Sequence, residues 1–559
     1  MMNLVNRALA AKKKILTFVL CTLSLFPLSA ALLPDTIVAF PGAEGFGKYT
    51  SGGRGGKVVY VTSLADDADG TTEGTLRWAM KQHPDTPITV CFAVSGEIRL
   101  VKDLRLNRRS NFTWAGQTAP GMGIVITHNK VNFGGSQNFI VRNIRFRVGN
   151  EDANGKFLNA NAFAAENCSN FIIDHCDFGW SSEENMNTFD GHFFTVQYCI
   201  VHEGLFRAGN GKGDRSYGCQ WGGSPASYHH NLLTNNHKRA CRFNGARNND
   251  SIVYLDYINN VVYNYNGGDN GCYGGETNSK IEEYNGLNAA HEVNFINNYY
   301  KPGVNTQTKR YFFRSDYARD GATSWAPSKW YVAGNIMEGN SAVNANNWQA
   351  VSVQTYTLDQ IRVDTMIRPK LNYYCWVSAD SVRGRYDFDM YAYAVEAYET
   401  ANSAYETVLD TAGAFPRDHV ELRLIREVRE GSTTYKGRNA QKLGIIDHAE
   451  DAEGFYEYPV VAPLADTDLD GMPDAWESAN GCNPQVADNN VRHASGYTML
   501  EMYLDYAMQK APMDDGYQEP QGIDNVQTDR IQSTKILRDG QLLILRGEKI
   551  YTLQGQELK

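Results

Sequence analysis

The sequence predicts an all-β fold, a right-handed parallel β-helix, with peripheral helices and a C-terminal calcium-loop segment. Three observations support the solenoid: a five-residue pattern recurs, asparagine or cysteine recurs at its centre, and the repeated stretches lack a helical period. One turn of a solenoid cannot bury its apolar face, so stacked turns must build a continuous core. We therefore expect short strands joined by loops of variable length.

The repeat is clearest in seven windows aligned on their central residue. The central positions are Ile144, Cys176, Cys199, Asn231, Asn260, Asn298 and Asn335. Asparagine at one place in successive turns can form a side-chain ladder along the stack. We therefore expect Asn260 and Asn298 to face inward. The equivalent Cys176 and Cys199 are expected to be buried thiols, since no CxxC pair suggests zinc.

Changes in composition divide the chain into five segments. They are a signal peptide (1–30), the β-helix domain (36–345), an irregular and helical segment packing on it (346–464), a calcium loop with a helix (465–512), and a linker with a short β-rich tail (513–559). Within the tail, alternating apolar residues on both sides of Asp539 and Gly540 predict a hairpin. A solvated, partly ordered tail is the alternative.

The N-terminal segment has the features of a secretory signal. Lys12, Lys13 and Lys14 precede an apolar run that ends in small residues. The run is short for a membrane anchor, and Leu20 precedes Cys21 where a lipoprotein signal needs a small residue. We therefore expect a secreted protein, extracellular or periplasmic, with no membrane span.

The net charge of −10, from 53 basic and 63 acidic residues, gives no general attraction for a polyanion. Nucleic-acid binding is therefore not expected, and attraction for an acidic ligand must be local. Basic residues do cluster around the central turns: Arg142, Arg145, Arg147, Arg207, Lys212, Arg215, Lys238, Arg239, Arg242 and Arg247. Because guanidinium groups match carboxylates, this cluster predicts an anion site rather than a solvated rim.

Residues 466–477 match the twelve-residue calcium-binding loop. The acidic residues at its ligand positions are Asp466, Asp468, Asp470, Asp474 and Glu477. An acidic loop without an ion is the alternative. Since this segment is far in sequence from the basic cluster, we expect a structural calcium site.

Several stretches together resemble the pectate lyase family, in the form found in polysaccharide-degrading gut bacteria of the Bacteroidetes type. They are FPGAEGFGKYTSGGRGGKVVYVTSL, AGQTAPG, NFIIDHCDFGWSSEEN, YHHNLLTNNHKRACRF and INNYYKPG, within Ala39 to Lys510. The resemblance implies a lyase that cleaves polygalacturonate, an acidic plant polysaccharide, by β-elimination to unsaturated oligogalacturonates. It also implies Ca²⁺ as the usual cofactor. We expect the protein to act as a monomer.

The resemblance also assigns roles in the chemistry. Elimination removes the C5 proton of a uronate and expels O4, so the site must supply positive charge and a proton acceptor. Arg239 stands at the family's catalytic arginine, although Cys241 replaces the usual proline. Lys212 and Arg242 match residues that bind substrate carboxylates.

For calcium at the active site, the resemblance implies a weakened ligand set. Asn159 and Asn161 stand where two aspartates are expected. Glu183 or Glu184 matches a third ligand, and Asn187 falls near a fourth. Calcium accepts amide oxygens, but its affinity follows the charge of its ligands. We expect a weak site that the substrate helps to complete.

Other functions remain open at this stage. The missing aspartates favour a metal-independent pectin lyase acting on methylated polymer. The acidic residues Asp174, Asp177, Glu183 and Glu184 allow a glycoside hydrolase with paired carboxylates. A non-catalytic glycan-binding solenoid is a further class. Asp174 and His175 match a family pair that is either catalytic or structural at a turn corner.

Overall fold

The computed structural model describes residues 37–510 and four strands between 533 and 558. The gaps within the first range are 153, 246–251, 267–270, 276–289, 307–309, 316–326, 355, 369–373, 377–382, 386–394 and 396–397. The predicted signal peptide lies outside the described residues. Three parallel sheets, here called sheets I, II and III, each take one strand from each successive turn. The predicted parallel β-helix is thus confirmed.

The strands of each sheet follow one another in chain order. Sheet I contains β1 (Lys57–Val61), β2 (Ile88–Phe92), β5 (Ser110–Ala115), β8 (Gln137–Arg142), β11 (Ser169–Asp174), β14 (His192–Gln197), β17 (Ala226–His229), β20 (Ile252–Ile258), β23 (Ala290–Ile296) and β26 (Lys329–Ala333). Sheet II contains β3 (Gly96–Arg99), β6 (Ile124–Thr127), β9 (Ile144–Arg147), β12 (Asp177–Gly179), β15 (Ile200–His202), β18 (Leu232–Thr234), β21 (Val261–Tyr263), β24 (Tyr299–Lys301) and β27 (Ile336–Met337). Sheet III contains β4 (Leu104–Arg105), β7 (Val131–Asn132), β10 (Phe163–Ala164), β13 (Glu184–Thr188), β16 (Tyr217–Trp221), β19 (Cys241–Phe243), β22 (Cys272–Gly274), β25 (Phe313–Ser315) and β28 (Val351–Val353).

The core is a set of side-chain stacks along the solenoid. Phe112, Phe139, Phe171 and Phe194 occupy one register of sheet I. Their rings stack nearly parallel, with centroids 5.2, 4.7 and 4.3 Å apart. Because parallel strands in register place equivalent residues one strand spacing apart, each ring buries its neighbour's face.

An asparagine ladder follows the corner between sheets I and II. The Nδ2 of Asn231 donates to Oδ1 of Asn260 at 3.0 Å, Asn260 to Asn298 at 3.2 Å, and Asn298 to Asn335 at 2.9 Å. All four side chains are buried. The predicted inward ladder is confirmed, and the preceding turns place Cys176 there as a buried free thiol, as predicted.

Seven helices lie outside the solenoid stack in the described part of the chain. They are α1 (Leu76–Ala79), α2 (Ser341–Ala345), α3 (Leu358–Ile361), α4 (Ala401–Thr411), α5 (His419–Glu430), α6 (Asp474–Asn480) and α7 (Met499–Lys510). Helix α5 begins with a capping box of Asp418 and Glu421 and ends at Gly431 in the left-handed region, φ 68°. None of the described helices has the length and apolar character needed to cross a bilayer.

Helices α4 and α5 cover sheet II. Val408, Val420 and Leu424 share an apolar cluster with Ile200 and Leu232 of the sheet. The amphipathic pattern of α5 therefore buries one face on the solenoid.

Three arginines of the predicted anion site are buried by ion pairs. Arg142 pairs with Asp174 at 2.7 Å, and Arg147 pairs with Asp177 at 2.7 Å. Arg145 pairs with Glu421 of α5 at 2.7 Å. All three arginines are almost inaccessible to solvent. For these residues the prediction of an anion site is wrong, because helix α5 and the neighbouring turn supply their carboxylates.

Two small antiparallel sheets complete the description. Strands β29 (Tyr374–Trp376) and β30 (Arg383–Arg385) form one pair. Residues 517–559 form a separate compact unit containing β31 (Ser533–Arg538), β32 (Gln541–Arg546), β33 (Lys549–Thr552) and β34 (Glu557–Leu558). Arg538 pairs with Gln541 in antiparallel register, so β31 and β32 are neighbours in this sheet.

Candidate active site

The outer face of sheet III carries a row of polar side chains. Gln220, Arg242, Tyr273 and Arg314 occupy one register on four successive strands. Their chain neighbours Cys219, Cys241, Phe243, Cys272 and Phe313 belong to the core. Since side chains alternate across a strand, the row faces outward, with about 4.8 Å between neighbouring strands. We call this face the groove face.

Arg239 lies two residues before β19, at the edge of this row. Its backbone has φ 47°, in the left-handed region that long side chains rarely adopt. The guanidinium lies 4.2 Å from the centre of the Tyr217 ring. Nε donates to the Tyr273 hydroxyl at 2.9 Å, and Nη1 donates to Oε1 of Glu184. The side chain is 16% exposed, so one edge of this fixed guanidinium reaches solvent.

The surroundings of Arg239 favour its charged form. Burial opposes the charge, but Tyr273 and Glu184 outweigh it and raise the pKa of the guanidinium above its ordinary value. In the free protein Arg239 is therefore a positioned cation.

Lys212 and Glu183 form a second charged group beside the row. The Nζ of Lys212 lies 3.0 Å from Oε1 of Glu183, and its side chain is 63% exposed. The Nδ2 of Asn210 donates to the same oxygen at 3.1 Å and to Oδ1 of Asn159 at 2.9 Å. Arg215 approaches Glu183 to 3.7 Å. Lys212 is thus a largely exposed cation, and its carboxylate partner among the described residues is Glu183.

The predicted calcium ligands of the groove are close together, but they do not fit the ion as arranged. Glu184 uses one oxygen for Arg239 and the other for Nδ2 of Asn161, at 3.0 Å. Glu183 and Asn159 accept the contacts given above, while the buried Oδ1 of Asn187 lacks a donor among the described residues. Calcium sites need several anionic oxygens turned to one point. Here both carboxylates face cations of the protein instead.

Arg242 differs from Lys212 in accessibility. It is only 3% exposed, and its guanidinium lies 5.4 Å from the centre of the Tyr273 ring. Arg314 approaches the same ring at 5.3 Å. Tyr273 is therefore in contact with three guanidinium groups, counting Arg239. The predicted Arg247 lies outside the described residues.

Sequence reasoning missed Asn210, Tyr273 and Arg314. The aligned windows fall at the corner between sheets I and II, and loops of variable length separate that corner from sheet III. The repeat therefore could not give the register of this sheet. An alignment of its short strands on Arg242 would have placed Tyr273 and Arg314 in the same row.

The corner carboxylates have structural surroundings. Asp174 accepts Nε of Arg142 at 2.7 Å and Nε2 of Gln197 at 2.8 Å. Asp177 accepts Nε of Arg147 at 2.7 Å. Both aspartates are fully buried, so neither can reach a polymer in the groove. The hydrogen-bonding interpretation of Asp174 is supported.

The predicted calcium loop brings most of its acidic residues together. Asp466, Asp468 and Asp470 have ligand oxygens within 4.8 Å of one another. Glu477 joins Asp470 and an unpredicted residue, Asp488, in a second such group. Asp474 belongs to neither group. Its carboxylate accepts hydrogen bonds from the amide and the hydroxyl of Thr467, each at 2.7 Å.

Sequence comparison finds similar proteins over most of the chain. No family model matches the chain. A probable pectate lyase C from Aspergillus terreus is 29% identical over 478 residues, which cover 84% of this chain and 94% of that protein. The corresponding Aspergillus oryzae protein is 29% identical over 478 residues, 85% of this chain and 95% of the relative. Pectate lyase 5 of Ambrosia artemisiifolia is 32% identical over 155 residues, 25% of this chain and 37% of that protein.

Solved structures give a weaker likeness. A cedar pollen allergen, Jun a 1, covers 66% of this chain and 92% of its own, with 14% identity and a TM-score of 0.36. A Bacillus sp. N165 pectate lyase in complex with trigalacturonate covers 67% and 99%, with 14% identity and a TM-score of 0.36. Over most of its length the chain is thus similar to fungal proteins named probable pectate lyase C.

Proposed function

We propose that this protein is a secreted lyase that cleaves polygalacturonate by β-elimination and releases 4,5-unsaturated oligogalacturonates. The observation that carries the proposal is the fixed Arg239 guanidinium on the groove face, with Tyr273, Arg242 and Arg314 in the adjoining row. The full-length similarity to proteins named probable pectate lyase C supports it. The gut-bacterial type belongs to the same proposal and rests on the motif stretches alone.

The reaction needs positive charge where the substrate is anionic. The C5 proton of a uronate becomes removable when the neighbouring carboxylate is neutralised and the developing enediolate is stabilised. Lys212 and Arg242 are proposed to bind carboxylates of the polymer. Lys212 is exposed enough to exchange Glu183 for a uronate, since exposed ion pairs are worth only about 0–1 kcal/mol.

Arg239 is proposed to accept the C5 proton. The C5–H electron pair then forms the C4=C5 double bond, the C4–O4 bond breaks, and O4 leaves with a proton from solvent. A protonated guanidinium cannot accept a proton, and the pKa of Arg239 is raised. The proposed base is therefore the small deprotonated fraction, and the rate should follow that fraction as pH increases.

The alternatives make different demands on the groove. A pectin lyase binds neutral methyl esters and has little use for the carboxylate-binding cations Lys212, Arg242 and Arg314. A glycoside hydrolase needs two free carboxylates flanking one bond. Glu183 and Glu184 each contact a cation, and the other two acids named for this role are buried. Polygalacturonate lyase is therefore the function that the site supports best.

Calcium is also proposed as a cofactor, although the proton transfer described above does not involve it. A rearrangement that released Glu183 and Glu184 from their cations would expose carboxylate and amide oxygens to the ion. Such an ion would add positive charge beside the substrate carboxylate.

The test is the ultraviolet absorbance of the conjugated double bond during digestion of polygalacturonate and of highly methylated pectin. Each is assayed with chelator and with added calcium, and new reducing ends are counted in parallel. We expect absorbance on polygalacturonate to rise in step with reducing ends. Reducing ends without absorbance would indicate a hydrolase, and faster reaction on the methylated polymer would indicate a pectin lyase. If neither new reducing ends nor absorbance appears, only a binding role remains.

A further inference from the structure

The stretch 466–488, here called the acidic loop, folds its carboxylates toward one another. Asp466 accepts the amide of Gly471 at 2.9 Å. Asp470 accepts the amides of Asp488 and Asn489 at 3.1 and 2.9 Å. Asp470 therefore joins the front of the loop to a turn that lies well beyond the predicted motif.

The result is a concentration of negative charge. The two groups of ligand oxygens share one member, and their residues are Asp466, Asp468, Asp470, Glu477 and Asp488. Like charges this close oppose one another strongly in a partly buried setting. Hydrogen bonds from backbone amides satisfy only some of these oxygens.

Glu477 gives an independent sign that a ligand is required. Its side chain is 0% exposed, and neither carboxylate oxygen has a hydrogen-bond donor among the described residues. One oxygen each of Asp468 and Asp488 is in the same condition. A buried carboxylate without a partner is strongly destabilising, so natural proteins pair such groups or use them to bind metal.

We propose that Asp466, Asp468, Asp470, Glu477 and Asp488 bind calcium, with Asp488 as a ligand that the loop motif does not contain. Asp474 is left out because it belongs to neither group of converging oxygens, and its carboxylate accepts hydrogen bonds from Thr467 instead. An all-oxygen set rich in carboxylates suits calcium, whereas zinc prefers nitrogen and sulfur ligands.

The bound ion would attach the acidic loop to the beginning of the solenoid. Tyr60 of β1 donates its hydroxyl hydrogen to Asp466. Met472 packs in one apolar cluster with Ala115 of β5 and with Leu500 and Tyr503 of α7. The loop is thereby held against the outer face of sheet I. Calcium at this site therefore stabilises the first turns of the solenoid and takes no part in the chemistry of the groove.

The experiment uses the full chain, stripped of metal by chelator and titrated calorimetrically with CaCl₂, with thermal unfolding followed in parallel. The variants are Asp488→Asn, Glu477→Gln and the matched control Asp474→Asn. We expect calcium to raise the Tm of the wild type by several degrees. We expect the calcium Kd of this site to increase at least about tenfold in Asp488→Asn and about a hundredfold in Glu477→Gln. Asp474→Asn should stay within about threefold of wild type.

Each other outcome overturns a part of the proposal. If the wild-type protein binds no calcium, or if calcium does not change its Tm, the proposed calcium site is refuted. If Asp488→Asn binds calcium with wild-type affinity, Asp488 is not a ligand. If Asp474→Asn loses as much calcium affinity as Glu477→Gln, Asp474 is a ligand, as the twelve-residue loop motif predicts. Polygalacturonate cleavage by Asp488→Asn, measured well below its Tm, should equal that of wild type. Lost activity with an unchanged Tm would place the ion in the groove instead.

Discussion

Sheets II and III use the same residue type in opposite ways. On sheet II, Arg145 and Arg147 point outward into carboxylates of the segment that carries α5, and both are buried. On sheet III, Arg239 and Arg242 lie on a face whose contacts are Tyr217, Tyr273 and Glu184. What differs is the set of partners: the segment that carries α5 supplies carboxylates to the guanidinium groups of sheet II, whereas tyrosine rings and one carboxylate contact those of sheet III. An arginine under a helix supplies stability, and an arginine on the groove face can be used for binding and catalysis.

The largest expected effect is that of Arg239→Lys. Lysine keeps the charge but cannot contact Tyr273 and Glu184 with one planar group. If Arg239 accepts the C5 proton, kcat and kcat/KM should fall together by roughly 100- to 10,000-fold, with KM nearly unchanged. Steady-state kinetics on polygalacturonate measure this, and the Tm should change little because the site is on the surface of the stack.

The pH profile sharpens the same assignment. Because the pKa of Arg239 is raised, log kcat/KM of the wild type should increase with pH through the alkaline range, with a slope of about one. A base that does not titrate in this range would give a flat profile. A flat profile, or Arg239→Lys with more than about a tenth of wild-type kcat, would refute Arg239 as the base.

On the covered face, Arg147→Met should act on stability instead. It removes the guanidinium from Asp177 and the closer of two guanidinium groups from Asp418, and removing one partner of a buried pair costs about 3–5 kcal/mol. We expect a clearly lower Tm, with kcat retained below the transition. The matched control is Arg105→Met, because Arg105 is 55% exposed and pairs with Asp103 on the surface. Equal losses in the two variants would contradict the distinction between covered and open arginines.

The sequence could predict the solenoid because its determinants repeat locally. The ladder from Asn231 to Asn335 is written into each window, so alignment alone finds it. The two kinds of arginine could not be separated in this way. The partner Asp418 of Arg147 is 271 residues distant in sequence, and nothing near Arg147 indicates that a helix will cover it. Asp488 was missed for a similar reason, since it lies after helix α6 and outside the loop motif.

Buried acids without arginine provide a further contrast. Burial alone would raise the pKa of Asp177, but Arg147 and His202 lower it overall. Asp256 is also fully buried, yet its partners are the neutral donors Asn294 and Tyr254, and burial raises its pKa to about 6. The charged form of Asp256 therefore destabilises the folded state as pH increases.

Asp256→Asn should remove this pH-dependent destabilisation. In the wild type, the folded state holds the Asp256 proton to higher pH than the unfolded state, so stability falls as pH rises from about 4 through about 6. The stability of the variant relative to wild type should therefore increase by about 3 kcal/mol between about pH 4 and about pH 8. Denaturant unfolding at both pH values measures this, and parallel pH curves for the two proteins would contradict the assignment.

Arg242→Ala carries the smallest expected effect and tests the boundary between the two classes. Arg242 is on the groove face but only 3% exposed, so it resembles both groups. A hydrogen bond from its guanidinium to a uronate would contribute about 1.5–3 kcal/mol in ground and transition states alike. That corresponds to a KM increase of roughly 10- to 100-fold with little change in kcat. Arg362→Ala is the control, because Arg362 is 48% exposed and pairs with Asp364. Raised KM with an unchanged Tm would assign Arg242 to the substrate. A lower Tm with unchanged KM would assign it to the fold, as for Arg147, and would leave Lys212 and Arg314 to bind the carboxylates of the polymer.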